Sequence, residues 1–304
     1  MPSVESQAQV DLSKAIAEIR ASNPNLDPVL NGLILEEWHR LASEPTNLTY
    51  EDVQCPGSVR PAIWCKPLLA SSSHVILYFH GGGFSACSPS SHRKMAGHLA
   101  KAAGCYTLLP DYRRTPEHPF PAQIEDAIAT YQWLLKDQGI SNHHIATAGD
   151  SAGGNLAVTS VLKMRELGLP LPSAIVGLSP HVDMGEIGKS LDTNAQTDVL
   201  VTRSSVRRMT TSYLRDTPRD NPLANPLHAD LSGLPPMYLC AGSVEMLRDD
   251  AVMLADRAKR ADVDVELEIS EGMQHVYTFM AGKAPEAINT INDIGRWLKN
   301  RLQE

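Results

Sequence analysis

The stretch Gly149-Asp150-Ser151-Ala152-Gly153-Gly154-Asn155 decides the fold. It follows a short apolar run, His144-Ile145-Ala146-Thr147-Ala148, and opens onto Leu156-Ala157-Val158-Thr159-Ser160-Val161-Leu162. That context reads as strand, sharp turn, helix. Gly149, Ser151 and Gly153 form the nucleophile-elbow pattern G-x-S-x-G, in which a serine stands on a strained turn between residues without side chains. The N–H groups opening the following helix aim at the same spot, where negative charge would develop. Alone the pattern is weak: with Gly near 7% of residues, chance gives on the order of a tenth of a match in a chain this long.

A second stretch changes that weight. Val75-Ile76-Leu77-Tyr78-Phe79 is continuously apolar, as a strand buried on both faces of a parallel sheet must be. It ends in His80-Gly81-Gly82-Gly83-Phe84, and H-G-G-G after an early strand is an oxyanion-hole signature of lipases and esterases. A plain glycine turn explains neither the buried strand before it nor the later serine elbow.

On these residues the chain resembles the hormone-sensitive-lipase-like branch of the α/β-hydrolases. The resemblance extends to Asp111-Tyr112-Arg113-Arg114-Thr115-Pro116-Glu117-His118-Pro119-Phe120-Pro121-Ala122, Ser179-Pro180 with Asp183, Leu234-Pro235-Pro236, and Gly272-Met273-Gln274-His275. Two positions depart: Arg114-Thr115 where the family usually has Leu-Ala, and His181 where it often has Trp. The resemblance implies one α/β-hydrolase domain over residues 1–304, with a mostly parallel eight-stranded sheet flanked by helices. It also implies a helical cap, built from about 1–45 and 181–233.

Composition agrees with one large α/β domain: 304 residues, 42% of them hydrophobic. Net charge is −8 with both signs interspersed and no basic run, which argues against nucleic acid as a partner. The opening Met1-Pro2-Ser3-Val4-Glu5-Ser6-Gln7 lacks the basic and apolar regions of a signal peptide, and no run reaches the ~18 apolar residues of a membrane span. The five cysteines, Cys55, Cys65, Cys87, Cys105 and Cys240, have no metal-ligand spacing and read as free thiols in a cytoplasmic protein. No metal or cofactor is implied.

Before residue 45, two amphipathic stripes are predicted: Leu12, Ala15, Ile16 and Ile19, then, after the break at Asn23-Pro24, Leu30, Leu33, Ile34, Trp38 and Leu41. Leu48 to Gln54 and Ala62 to Lys66 read as two antiparallel edge strands. Strands and helices then alternate, which predicts a doubly wound sheet with its site at the carboxyl ends of the strands. Residues 181 to about 233 interrupt the alternation, with Thr202, Ser204 and Ser205 as candidate caps of a helix. Val263 to Ile269 alternates acidic and apolar residues, and an edge strand there offers a face for a homodimer. Pro285 to Leu302 closes the chain as a helix.

Acyl transfer needs a nucleophile, a base, an orienting acid and an oxyanion site. Ser151 is the candidate nucleophile. Of His181, His228 and His275, only His275 follows the last strand, where the chain order Ser, acid, His requires the base. The family commonly has Asp, one residue, then Leu after the preceding strand; Glu245-Met246-Leu247 matches, with Glu in the acid position. Asp249 and Asp250 read as first-turn residues of the next helix, favoured by its dipole, and Asp150 as a local structural hydrogen-bonder. For the oxyanion hole, the resemblance carries over to the N–H groups of Gly82, Gly83 and Ala152. The expected activity is a serine carboxylesterase acting on small acyl esters or lactones through an acyl-enzyme. An amidase or deacetylase with the same triad, or a non-catalytic small-molecule receptor on this scaffold, are the alternatives; the presence of His275 argues against the receptor.

Overall fold

The computed structural model describes residues 2–23 and 25–302; Met1 and the Pro24 of the predicted helix break lie outside them. The order is α1 (Gln7–Ser22), α2 (Pro28–Glu36), β1 (Leu48–Val53), β2 (Ala62–Pro67), β3 (Ser71–Phe79), α3 (Pro89–Ala103), β4 (Cys105–Leu109) and α4 (Ala122–Lys136). Then come β5 (Ile145–Asp150), α5 (Ala152–Glu166), β6 (Ala174–Leu178), α6 (Ser190–Thr193), α7 (Arg203–Leu214), β7 (Met237–Gly242), α8 (Arg248–Arg260), β8 (Val265–Ser270) and α9 (Pro285–Leu302).

The strands form one eight-stranded sheet in the order β1-β2-β4-β3-β5-β6-β7-β8. From β4 to β8 every pairing is parallel, while β1–β2 and β2–β4 are antiparallel. One sequence expectation is corrected here. Ala62–Pro67 is not an edge strand, because it pairs with β1 on one side and β4 on the other. Its nearly continuous burial reflects that interior place, and of this antiparallel pair only β1 is an edge of the sheet.

Alternate residues of β3 feed two cores. Val75, Leu77 and Phe79 pack with Ile124 and Tyr131 of α4, Leu156 and Val161 of α5 and Leu254 of α8. Ile76 and Tyr78 pack on the other face with Met95 and Leu99 of α3 and Ile291, Ile294 and Leu298 of α9. This is the reason β3 is apolar without alternation: both faces are covered by helices. The connections that carry chemistry all leave the carboxyl ends of β3, β5, β6, β7 and β8, on one rim of the sheet.

The N-terminal helix buries a different face from the one its apolar residues suggest. Gln9, Ser13 and Ile16 are inside, Leu12 is half-buried, and Ala15 and Ile19 are exposed. Gln9 on this inward face reaches a backbone carbonyl near the site, described below. In the second stripe Leu30 and Leu33 are exposed, whereas Trp38 and Leu41 are buried; Trp38 meets Phe279 edge-on at 4.9 Å. Helix α7 starts at the predicted Thr202, whose side chain and that of Ser205 cap each other's backbone. Among the described residues, no helix is long and apolar enough to cross a membrane.

Candidate active site

Ser151 sits between β5 and α5 with φ 51° and ψ −118°, a conformation a non-glycine residue adopts only when its surroundings impose it. The turn is held on both sides. Ser151 N–H donates to Leu178 O at 2.9 Å, and Ser151 O accepts from His181 N–H at 2.9 Å and Asn155 N–H at 3.1 Å. A Cβ on Gly149 would collide with the backbone of Gly153, and one on Gly153 with the backbone of Phe79. The two glycines of the motif are therefore required by close backbone approach.

His275, in the loop after β8, brings Nε2 to 2.9 Å from Ser151 Oγ. Its Nδ1 lies 3.4 Å from Oε1 of Glu245, in the loop after β7. That contact is long, as such bonds often are before charge develops on the ring. Glu245 is fully buried, and its other oxygen accepts from Ser179 Oγ at 2.7 Å and Gly242 N–H at 3.0 Å. Burial opposes a charge on His275, but Glu245, with smaller contributions from Asp198 and Asp150, outweighs it and raises the imidazole above its ordinary pKa.

The other candidate acids lie elsewhere. Asp249 accepts from Ser190 N–H at 2.9 Å and pairs with Arg248. Asp250 is in the first turn of α8, as the sequence suggests, yet it is buried and accepts from both Val182 and Asp183 N–H at 2.8 Å. Burial pushes its carboxyl well above the usual range. It ties the start of α8 to the chain after β6. His228 ends a short 3-10 turn and is not among the residues lining the cavity. His181 is buried with neither ring nitrogen hydrogen-bonded, and burial and the nearby His275 hold its pKa down to about 4.

Asp150 does local structural work that also shapes the site. Its Oδ1 accepts from Tyr78 OH at 2.7 Å and Gly81 N–H at 3.1 Å, and its Oδ2 is 3.2 Å from His92 Nε2. Burial alone would raise its pKa; His92 and the hydrogen bonds lower it instead. The elbow and the His80–Gly83 loop are thus joined by one carboxylate. Tyr112 adds a bond from its hydroxyl to His80 O at 2.6 Å and stacks on the His80 ring at 4.3 Å. Gly82 turns its carbonyl to Ser85 and Ala86 N–H, and its own N–H and that of Gly83 donate to no acceptor among the described residues. Ala152 is the first residue of α5, where N–H groups have no intrahelical acceptor. Gly82 and Gly83 both have positive φ, 108° and 63°.

These groups meet in a cavity of about 160 Å³. Its floor is Ser151, His275 and the Gly82–Gly83 loop; its walls include Leu35 and Trp38 from the N-terminal segment and Val201 and Met209 from the segment after β6. A family model for the alpha/beta hydrolase fold matches residues 76–279. The chain belongs to the α/β-hydrolase family. Among similar proteins, an acetyl-hydrolase of Streptomyces hygroscopicus is 37% identical over 298 residues, 93% of this chain and 99% of its own. An esterase of Acinetobacter venetianus is 34% identical over 91% of this hydrolase and 90% of its own length. A crystal structure of an esterase from the bacterial hormone-sensitive lipase family superposes with a TM-score of 0.93 at 38% identity, covering 99% of each chain. The hydrolase therefore lies in the hormone-sensitive-lipase-like esterase branch.

Several residues of the site escape a sequence reading. Ser179 Oγ bridges Glu245 and Val276 N–H, a role that its place in the family-like Ser179-Pro180 pair does not reveal. Gln9 of α1 donates from Nε2 to His275 O at 2.6 Å, across 266 positions of sequence. Asn194 donates to Ser243 O and Glu245 O, and Asp198 accepts from Met246 N–H at 2.7 Å. Of the two departures from the family, Arg114 pairs with Asp111 and donates to Cys87 O at 3.0 Å. Nothing in the structure explains His181.

Proposed function

We propose that the hydrolase is a serine carboxylesterase acting on small acyl esters or lactones, with Ser151 as nucleophile, His275 as base and Glu245 as its orienting acid. Neutral His275 holds its proton on Nδ1, facing Glu245, and accepts the Ser151 proton on Nε2. Ser151 Oγ attacks the carbonyl carbon, and the carbonyl oxygen takes the negative charge. The N–H groups of Gly82, Gly83 and Ala152 receive that charge, each such donor contributing about 3 kcal/mol to the transition state. His275 then passes its proton to the leaving alkoxide, and the acyl group stays on Ser151. Water, deprotonated by the same nitrogen, attacks the acyl-enzyme and releases the acid. The steps need no metal and no cofactor.

The observation that carries this reading is the 2.9 Å contact of Ser151 with His275, backed by a buried carboxylate and sharing its cavity with Gly82 and Gly83, whose N–H groups donate to no acceptor among the described residues. The esterase names of its relatives support the ester as substrate, and the cavity's size and apolar walls favour a short acyl chain. In this proposal residues 1–45 and 181–233 act as the cap, since both contribute walls to the cavity. The test is Ser151→Ala with a p-nitrophenyl ester, together with a phosphonate label on the wild type. Loss of hydrolysis and a single adduct at Ser151 are expected; more than a few per cent residual activity sinks the mechanism.

Two finer readings accompany it. A homodimer would pair through β8, which is bonded only to β7 and exposes Ile269; a monomer in sedimentation equilibrium refutes it. A cytoplasmic site accords with five free buried cysteines, and recovery of the protein outside the cell would overturn it.

A further inference from the structure

Two cations line the cavity that ends at Ser151: Arg20 in the last turn of α1, and Arg208 in α7. The neighbouring arginines face away from it. Arg203, Arg207 and Arg219 all converge on Glu186, at 3.8, 3.0 and 2.9 Å. Arg208 has no ion-pair or hydrogen-bond partner among the described residues. Asp150 is the carboxylate of the cavity wall, and both its oxygens are turned to Tyr78, Gly81 and His92. Both side chains line the same cavity, and burial together with the charge of Arg208 lowers the pKa of Arg20.

Arg208 lines the cavity while exposed to solvent, so its guanidinium is available there to an entering anion. The chain as a whole carries −8, so its long-range field would turn anions away. Within a Debye length of about 10 Å at 0.1 M salt the local cations prevail over that distant charge. A guanidinium fork matches a carboxylate in shape and charge.

We propose that Arg208, together with Arg20, forms a subsite for a carboxylate carried by the substrate, so that the preferred esters are acidic ones. They would be half-esters of dicarboxylic acids, with the charge on the acyl half, or esters of carboxylate-bearing alcohols. The inference rests on the esterase reading of Ser151 and names the substrate class for that site. The guanidinium groups neutralise the substrate's carboxylate and align the ester carbonyl over Ser151; the reaction itself is unchanged.

The experiment compares matched pairs by pH-stat: monoethyl glutarate against ethyl valerate, and the butyryl ester of 4-(hydroxymethyl)benzoate against benzyl butyrate. In Arg208→Gln the acidic-to-neutral ratio of kcat/KM should fall about tenfold on one pair, the equivalent of 1.4 kcal/mol. The pair that responds identifies the half carrying the charge. Arg208→Glu should lower the ratio further, Arg207→Gln should leave it unchanged, and the wild-type ratio should decline as salt rises from about 0.05 to 0.5 M. If wild type hydrolyses the neutral esters but Arg208→Gln changes neither ratio by more than about twofold, the subsite is refuted and the esterase stands. If no ester of either kind is hydrolysed in a Ser151-dependent way, the esterase reading fails and takes the subsite with it.

Discussion

Glu245→Gln should lower kcat by about four orders of magnitude while leaving the fold in place. The geometry fixes which way the amide must sit. One Glu245 oxygen accepts from both Ser179 Oγ and Gly242 N–H, and the other faces His275 Nδ1. In the variant the amide oxygen must take the side with two donors, because an NH2 there would face a fixed N–H. The amide nitrogen then faces His275 and donates to Nδ1. That holds the imidazole proton on Nε2, the atom that must accept from Ser151 at 2.9 Å. The base is present, correctly placed and in the wrong tautomer. Loss of the orienting carboxylate in an analogous triad costs about 10⁴ in kcat, or about 5.4 kcal/mol at 1.36 kcal/mol per decade. Glu245→Asp keeps the charge but shortens the reach, so it should fall between. The assay is kcat on a p-nitrophenyl ester, with Tm measured alongside and Asp249→Asn as the comparison. A Glu245→Gln enzyme within about tenfold of wild type, or a dead Asp249→Asn, would show that the acid is elsewhere.

The same site sets the pH response: only neutral His275 can accept the proton, so kcat/KM should be full above its pKa and fall as pH drops through it. Because that pKa is raised, the acid limb should lie above the ~6.5 of a free imidazole, and a profile flat from about pH 5 to 8 would contradict the assignment. Asp250→Asn retains an acceptor for Val182 and Asp183 N–H and should stay within about tenfold in kcat. Asp250→Ala leaves two buried donors without a partner and should cost about 2–4 kcal/mol in urea unfolding; a loss below about 1 kcal/mol would deny the tie. Gln9→Ala should lower kcat several-fold with stability reduced by about 1 kcal/mol, and an unchanged kcat would mean the His275 loop needs no support from α1.

The sheet was legible because its strands are buried on both faces and so cannot hide their apolar runs: Val75–Phe79 and Ala174–Leu178 announce themselves. The elbow was legible because its glycines answer to backbone collisions that no other residue relieves. What sequence could not show was which pairings interior strands make, so Ala62 to Lys66 reads as an edge although β4 covers it. Asp250 read as a helix-dipole residue because its position in α8 is local information, whereas its two acceptor bonds reach back 68 and 67 residues. Arg208 gave no signal at all. It differs from Arg207 only in facing the cavity, a property of the α7 axis and of what lies beneath it.

The N-terminal helix and the segment after β6 are hydrogen-bonded to the loops that carry His275 and Glu245. Gln9 holds the carbonyl of His275, and Gln274, its neighbour, accepts from Val199 N–H at 3.1 Å and donates to Thr197 O at 2.9 Å. On the acid side, Asn194 donates to the carbonyls of Ser243 and Glu245. Asp198 accepts from the N–H groups of Leu200, Val201 and Met246. Nearly all of these bonds end on backbone, so they locate the two loops without constraining the side chains that do the chemistry. Each is worth about 0.5–1.5 kcal/mol net, and five or six together exceed the margin by which a loop stays ordered. Order in these two segments and alignment of His275 with Glu245 are then coupled. A change that loosens residues 194–201 should lower kcat even though it leaves Ser151, His275 and Glu245 unaltered.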